Sequence, residues 1–168
     1  MSVSACCDGA PVHNDMARLI AVMEAVIFVG VQGAGKSTFY RERFYDTHVR
    51  INLDMLRTRR REQLLLGACL EAGQSFVVDN TNRTTADRAR YIGLARERGF
   101  HVIAYFFDVQ LRDAMQRNKN RDPAHRIPAP AVGSTFRKLQ PPTVEEGFHR
   151  IFTVKVTETN QFAVTATI

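Results

Sequence analysis

The chain has 168 residues, 45% hydrophobic and 24% charged, a composition that suits one globular domain with a sizeable core. No apolar run is long enough to cross a bilayer, and the first residues lack the pattern of a secretory leader. No membrane partner and a cytoplasmic setting are therefore the expectation. The net charge of +6 favours an anionic partner, but a nucleotide is itself anionic, so charge selects no class until it is located. Cys6, Cys7 and Cys69 read as free thiols, and the five histidines show no zinc-ligand spacing.

Residues 1–23 are small, polar and weakly patterned, with one amphipathic piece at 16–23; they read as a loose arm or peripheral helix. A single domain is expected over 24–168. Within it, strand-like and helix-like segments alternate: a continuous apolar strand at 26–29, a helix from 37 to about 46, and a short strand at 49–52. One long helix is expected from 54 to 72, stopped by Gly73, then a strand at 75–79 and a helix at 84–98 capped by Gly99. A buried strand at 101–107 and a helix at 111–117 follow. The polar, proline-bearing stretch 118–130 reads as a loop, and 131–139 as a short helix. Segments 151–156 and 162–168 alternate around Asn160 like a terminal hairpin. Strands separated by helices imply an α/β fold with a central parallel sheet flanked by helices, plus the C-terminal β-hairpin. Ligands on such sheets sit at the carboxyl ends of the strands.

The first strand runs into Gly30-Val31-Gln32-Gly33-Ala34-Gly35-Lys36-Ser37-Thr38, the G-x-x-x-x-G-K-S pattern of a phosphate-binding loop between a strand and a helix. Its glycines let backbone N–H groups turn inward around phosphate oxygens. Gly30, Gly33, Ala34, Gly35, Lys36, Ser37 and Thr38 are thus the candidate nucleotide-binding residues. Lys36 would reach the β- and γ-phosphates, and the Ser37 hydroxyl would hold Mg²⁺. ATP and Mg²⁺ are the expected cofactors.

Asp54 follows the second strand where the next helix opens. A carboxylate there can cap free N–H groups, or it can take the proton of an acceptor hydroxyl during phosphoryl transfer. With a phosphate loop upstream, the base is preferred. Arg57 and Arg61 lie at i+3 and i+7 and would share one side of the expected helix with Asp54, so Arg57 could fork onto an acceptor phosphate. Arg59 and Arg60 read as a solvated face. Asp79 ends the apolar strand 76–79 and is expected to give Mg²⁺ its second support, with Asn80 and Asn82 aimed at substrate. An ordinary strand-end turn would use the same residues. Arg117 and Arg121, around a segment 117–127, could close as a lid over the triphosphate. Asn118-Lys119-Asn120 does not form the guanine-reading motif, because Arg121 stands where an Asp is required.

The chain resembles the 5′-hydroxyl polynucleotide kinase family of phage and animals over about residues 26–148. The resemblance rests on the loop 30–38, Asp54-x-x-Arg57, Val77-Val78-Asp79-Asn80-Thr81-Asn82, Arg88-Ala89-Arg90-Tyr91-Ile92, Arg117-Asn118 with Arg121, and Phe136-Arg137-Lys138 followed by Pro142-Thr143-x-Glu145-Glu146-Gly147-Phe148. It implies a P-loop kinase in which Lys36 and Ser37 hold nucleotide and metal. Asp54 would be the general base on a 5′-hydroxyl and Arg57 the grip on an acceptor phosphate. Arg121 would be the lid arginine on the donor phosphates, with Arg117 close by. The Asp at 79 sits one position earlier than in the phage form, which leaves the partner of Arg57 open. No Asp-x-Asp phosphatase motif occurs, so no 3′-phosphatase is expected. The preferred reading is an ATP-dependent kinase acting on a nucleic acid or oligonucleotide. The alternatives are a kinase of a small hydroxyl compound (nucleoside, sugar or antibiotic) and a nucleotide-dependent switch. Neither the oligomeric state nor a choice between DNA and RNA can be read from the residues.

Overall fold

The computed structural model describes residues 22–157 and 159–167. The expected N-terminal arm, apart from Val22 and Met23, lies outside the described residues. Strand β1 (Glu24–Val29) is followed by α1 (Lys36–Arg43), β2 (Val49–Ile51), a one-turn α2 (Leu53–Leu56), α3 (Arg59–Ala72) and β3 (Phe76–Val78). Then come α4 (Thr85–Glu97), β4 (His101–Phe107), α5 (Leu111–Lys119), α6 (Ala129–Arg137), β5 (Arg150–Val156) and β6 (Phe162–Ala166). The six strands form one sheet in the order β2-β3-β1-β4-β5-β6. All pairs are parallel except β5 with β6, so the expected hairpin is present and its first strand also extends the parallel sheet beside β4. The hairpin turns at Asn160, which adopts a left-handed φ of 58°.

Alternation along β1 divides the core. Ala25, Ile27 and Val29 face α3 and α4, packing among Leu66, Leu70, Tyr91, Ile92 and Ala95. Val26 and Phe28 face the opposite layer, where Phe39, Tyr40 and Phe44 of α1 and Ala114 of α5 meet them. Because both faces are covered, the strand is apolar throughout, as read from the sequence.

Two stretches depart most from the expected boundaries. The long helix expected over 54–72 is two helices. Arg57 caps α2 in a left-handed conformation (φ 67°), and the Thr58 side chain accepts from Arg61 N to start α3 afresh. Asp54, Arg57 and Arg61 therefore do not share one helical face. Helix α5 runs on to Lys119, and α6 begins at Ala129, because Asn118 closes the intervening arc. Its amide donates to Ile127 O (2.7 Å), and its carbonyl oxygen accepts from Ile127 N (3.1 Å).

The motifs of the C-terminal third act as structural ties. Arg88 of α4 is fully buried and donates through Nε and Nη2 to both oxygens of Glu146, each at 2.6 Å, and through Nη1 to the carbonyls of Asn82 and Gln140. This pair joins α4 to the segment entering β5 and to the loop leaving β3. Removing one partner of such a pair strands the other charge in the core. Arg88→Met should therefore cost about 3–5 kcal/mol of stability, read as a lower urea midpoint. A midpoint within experimental error of the parent would contradict this account.

Candidate active site

The phosphate loop connects β1 to α1 and is held from two sides. Gly33 has φ 80°, and a Cβ there would come within 2.3 Å of the Ala114 carbonyl on α5, so only glycine fits. Gly35, at φ 97°, caps α1. Gly30 N donates to Thr81 O (3.1 Å), tying the start of the loop to the segment that follows β3. Lys36 Nζ donates to the carbonyls of Gly30 (2.8 Å) and Val31 (2.7 Å), so the ammonium lies inside the loop. Removal from water is the main cause that lowers the Lys36 pKa to about 8. Asp79 opposes the shift, Arg121 adds to it, and Asp54 opposes it. All three charges therefore act on one ammonium.

Asp79 ends β3 with a buried carboxylate whose Oδ2 accepts from Ser37 Oγ at 3.0 Å. A hydroxyl and a carboxylate in contact at the loop's exit are hard oxygen donors, the kind Mg²⁺ selects, and the pair fits that ion. The same Oδ2 accepts from Arg50 Nε (2.9 Å) and Arg50 Nη2, and Nη2 also donates to Ser37 Oγ (2.8 Å). Sequence reasoning missed Arg50. Its signal was a charged residue between Val49 and Ile51 in a short strand.

Asp54 lies in the first turn of α2 with an exposed side chain. The capping alternative raised for it falls to Asn52 instead, whose side-chain oxygen accepts from Met55 N (3.0 Å). Among the described residues, Asp54 thus makes no structural hydrogen bond through its side chain. It lines a narrow cleft of about 60 Å³ together with Gly33, Ala34, Gly35, Lys36, Ser37, Asp79 and Arg121. It also lines a second hollow of about 280 Å³, whose charged lining is Asp54, Arg59, Arg83, Asp87 and Arg90. Gln32, Asn80 and Thr81 are common to both. The Gln32 side-chain oxygen is buried there with no hydrogen-bond partner among the described residues.

The wall of that second hollow is a buried polar network. Asn80 Oδ1 accepts from Leu53 N (2.8 Å), and its amide donates to Glu62 Oε1 (2.7 Å) and Tyr91 Oη (3.3 Å). Glu62 also accepts from Tyr91 Oη (2.9 Å) and, on Oε2, from Arg59 Nη1 (2.6 Å). Burial, with Glu62 second, raises the Tyr91 pKa, so the phenol stays a donor. Arg59, set aside as a solvated residue in the sequence, is the arginine that reaches this wall, and Glu62 was not singled out at all.

The remaining candidates are placed as follows. Arg57 is exposed at the end of α2 and lines neither the cleft nor the hollow. Asn82, at φ 44°, has its amide committed to Phe28 O (2.8 Å) and Val78 O (3.4 Å), so its NH₂ group fixes the loop although the residue lines the hollow. Thr38 is exposed in the first turn of α1. Arg121 joins the phosphate cleft, whereas Arg117 lies apart from it. Arg117 lines a separate depression with Asp108, Asp113 and Lys155, and its Nη1 is buried without a hydrogen-bond partner among the described residues. A larger hollow of about 840 Å³ between α5, α6 and the arc 123–128 contains no residue of the phosphate loop. No helix among the described residues is long and apolar enough to span a membrane.

Comparison with known proteins agrees with this architecture. The chain is 30% identical over 134 residues to a bifunctional polynucleotide phosphatase/kinase of Schizosaccharomyces pombe, a match that covers 76% of this chain and 32% of that protein. The chain spans about a third of the length of the curated relatives it matches. Among solved structures, a chain of the Pnkp1/Rnl/Hen1 RNA repair complex superposes with a TM-score of 0.62 at 20% identity, covering 76% of this chain and 47% of that one. A gluconokinase from Sinorhizobium meliloti 1021 superposes at 0.57 with 17% identity, covering 82% and 85%. At such identities these two show the fold alone. A family model described as AAA domain matches residues 26–142, from β1 through the loop after α6, and the chain belongs to that family of P-loop proteins.

Proposed function

We propose that this chain is an ATP-dependent kinase that transfers the γ-phosphate to a 5′-hydroxyl of a nucleic acid or oligonucleotide. The observation that carries the reading is the position of Asp54. Its carboxylate, free of structural bonds, stands on the wall shared by the phosphate cleft and an arginine-lined hollow. Similarity to polynucleotide phosphatase/kinases supports the choice of acceptor.

In this mechanism the loop amides, Lys36 and Arg121 hold the triphosphate in the cleft. Ser37 Oγ and the Asp79 carboxylate would hold Mg²⁺, which when bound would supply positive charge against the phosphate oxygens. The acceptor enters the second hollow, where three guanidinium groups face two carboxylates and favour an anionic chain. Asp54 accepts the proton of the acceptor hydroxyl as its oxygen attacks the γ-phosphorus in line, and ADP leaves on the opposite side. Arg57, exposed three residues after Asp54, and Arg59 are the proposed grips on acceptor phosphates. The arc 117–127, hinged by the Asn118–Ile127 clamp, is the proposed lid that carries Arg121. Arg117 would meet the nucleotide from its neighbouring depression.

A second reading, a small anionic hydroxyl compound as acceptor, is favoured by one feature. The only aromatic residue lining the hollow among the described residues is Tyr91, whose side chain is buried and hydrogen-bonded, so no open ring face offers to stack a base. Incubation with γ-labelled ATP and a 5′-hydroxyl oligonucleotide decides between them. Label in the strand supports the polynucleotide reading, whereas label only in an added nucleoside or sugar overturns it.

Two further outcomes follow from the same site. Asp54→Asn should lower kcat by roughly 10²–10⁴-fold while ATP affinity, followed by a fluorescent nucleotide, stays within about threefold. Equal losses of both would remove Asp54 from the chemistry. Lys36 also links binding to pH. Its depressed pKa leaves a share of the amine neutral at about pH 8.5, and a triphosphate restores the ammonium, so ATP binding should take up protons there and far fewer at about pH 7. Calorimetry in buffers of different ionisation enthalpy measures that uptake. It should vanish in Lys36→Met, and its absence in the parent would contradict the assignment.

A further inference from the structure

The pair of oxygens that suits a divalent ion is already held by a cation of the chain itself. Arg50 projects from the middle of β2, and its guanidinium bonds both members of the pair. Nε lies 2.9 Å from Asp79 Oδ2, and Nη2 donates to the same oxygen and to Ser37 Oγ at 2.8 Å. The Asp79 side chain is 2% exposed and that of Arg50 29%, so the carboxylate is fixed while the guanidinium keeps a route to solvent. A purely structural bridge between β2 and β3 would need only the carboxylate. This one also engages a lone pair of the P-loop serine Oγ, the atom through which a metal would attach.

We infer that Arg50 is a resident counter-cation that competes with a divalent ion for Ser37 Oγ and Asp79 Oδ2. The inference rests on the reading of Ser37 and Asp79 as the metal pair. Arg50 neutralises a buried carboxylate and keeps Ser37 beside it, so the two oxygens are ordered in advance. Entry of a divalent ion places like charges side by side in a poorly solvated site, and the guanidinium has to release the serine. The Tyr40 ring, whose centroid is 5.5 Å from the guanidinium carbon, offers a face for the displaced cation. The functional consequence is selectivity for the metal–nucleotide complex. A free ion brings no compensating contacts, whereas one delivered on a triphosphate arrives with the loop's phosphate bonds.

Electron paramagnetic titration of Mn²⁺ in the presence of a non-hydrolysable ATP analogue tests this without reference to turnover. Arg50→Gln should bind Mn²⁺ at least about tenfold more tightly than the parent, and Arg50→Lys, which retains a cation, should fall between them. A role limited to positioning Asp79 gives the opposite sign, so unchanged or weaker Mn²⁺ binding in Arg50→Gln overturns the inference. If the parent binds Mn²⁺ and Asp79→Asn loses it, the metal reading stands whatever Arg50 does. If the parent binds none beside the nucleotide, both readings fall. A measurement on the unaltered chain covers the case in which the variants do not fold. The ¹⁵N signal of the Arg50 Nε–H, protected with the analogue alone, should move to the position and exchange rate of a solvated arginine when Mg²⁺ is added. A signal that stays protected overturns the competition.

Discussion

Asp79 gathers Ser37 Oγ–H and two N–H groups of Arg50 onto one buried oxygen, and through them it sets the distance between three chain segments. The residue ends β3, the serine opens α1, and the arginine projects from β2, so the contact spans the carboxyl edge of the sheet. Parallel pairing of β1 with β3, in which Ile27 lies opposite Val78, brings the phosphate loop and Asp79 out at the same level. Without that register a carboxylate at this position would face empty solvent. With it, an otherwise costly buried charge is neutralised and the loop's first helical turn is anchored.

The wall of the second hollow depends on a second charged network, built around the buried Glu62. Glu62 is satisfied by Asn80, Tyr91 and Arg59, while Asn80 reaches back to the N–H of Leu53 at the start of α2. That chain of bonds sets where α2 begins, and α2 carries Asp54. The base candidate is therefore placed by backbone and neighbours while its own oxygens stay unclaimed. A capping Asp would have had the reverse property, held in place but with an oxygen already engaged. The division of labour between Asn52 and Asp54 resolves an ambiguity that sequence left open, because both residue types cap helices equally well.

Local patterns made much of the architecture readable. The apolar runs that became β1 and β4, the glycines flanking Lys36 and the Asn160 turn each declare themselves within a few residues. What stayed hidden was long-range. Arg50 and Asp79 are 29 positions apart, and Arg88 and Glu146 are 58, so no local spacing links them. The break between α2 and α3 escaped because Arg57 carries no glycine-like signal for its left-handed backbone, and the apolar spacing runs through it. Asn80 lines both compartments and Asn82 the hollow alone, but amide side chains serve as well for holding a loop as for holding a ligand. Only their partners distinguish the two uses.

The two compartments are not independent cavities, and this bears on how a reaction could be ordered. Gln32, Asp54, Asn80 and Thr81 belong to both, so a shift of the phosphate loop would also reshape the wall of the second hollow. The arc 117–127, proposed as a lid, joins the same system. Arg121 lines the phosphate cleft, whereas Ile127, at the other end of the Asn118 clamp, lines the second hollow. Drawing Arg121 inward onto phosphate charge would pull on an arc whose far end borders the second substrate. In the proposed mechanism, closure of this arc over the sheet edge would exclude water from both substrates in one motion, which phosphoryl transfer to an alcohol rather than to water requires. The buried oxygen of Gln32, without a hydrogen-bond partner among the described residues, lines both compartments, where in the proposed mechanism the acceptor hydroxyl would supply the donor it lacks.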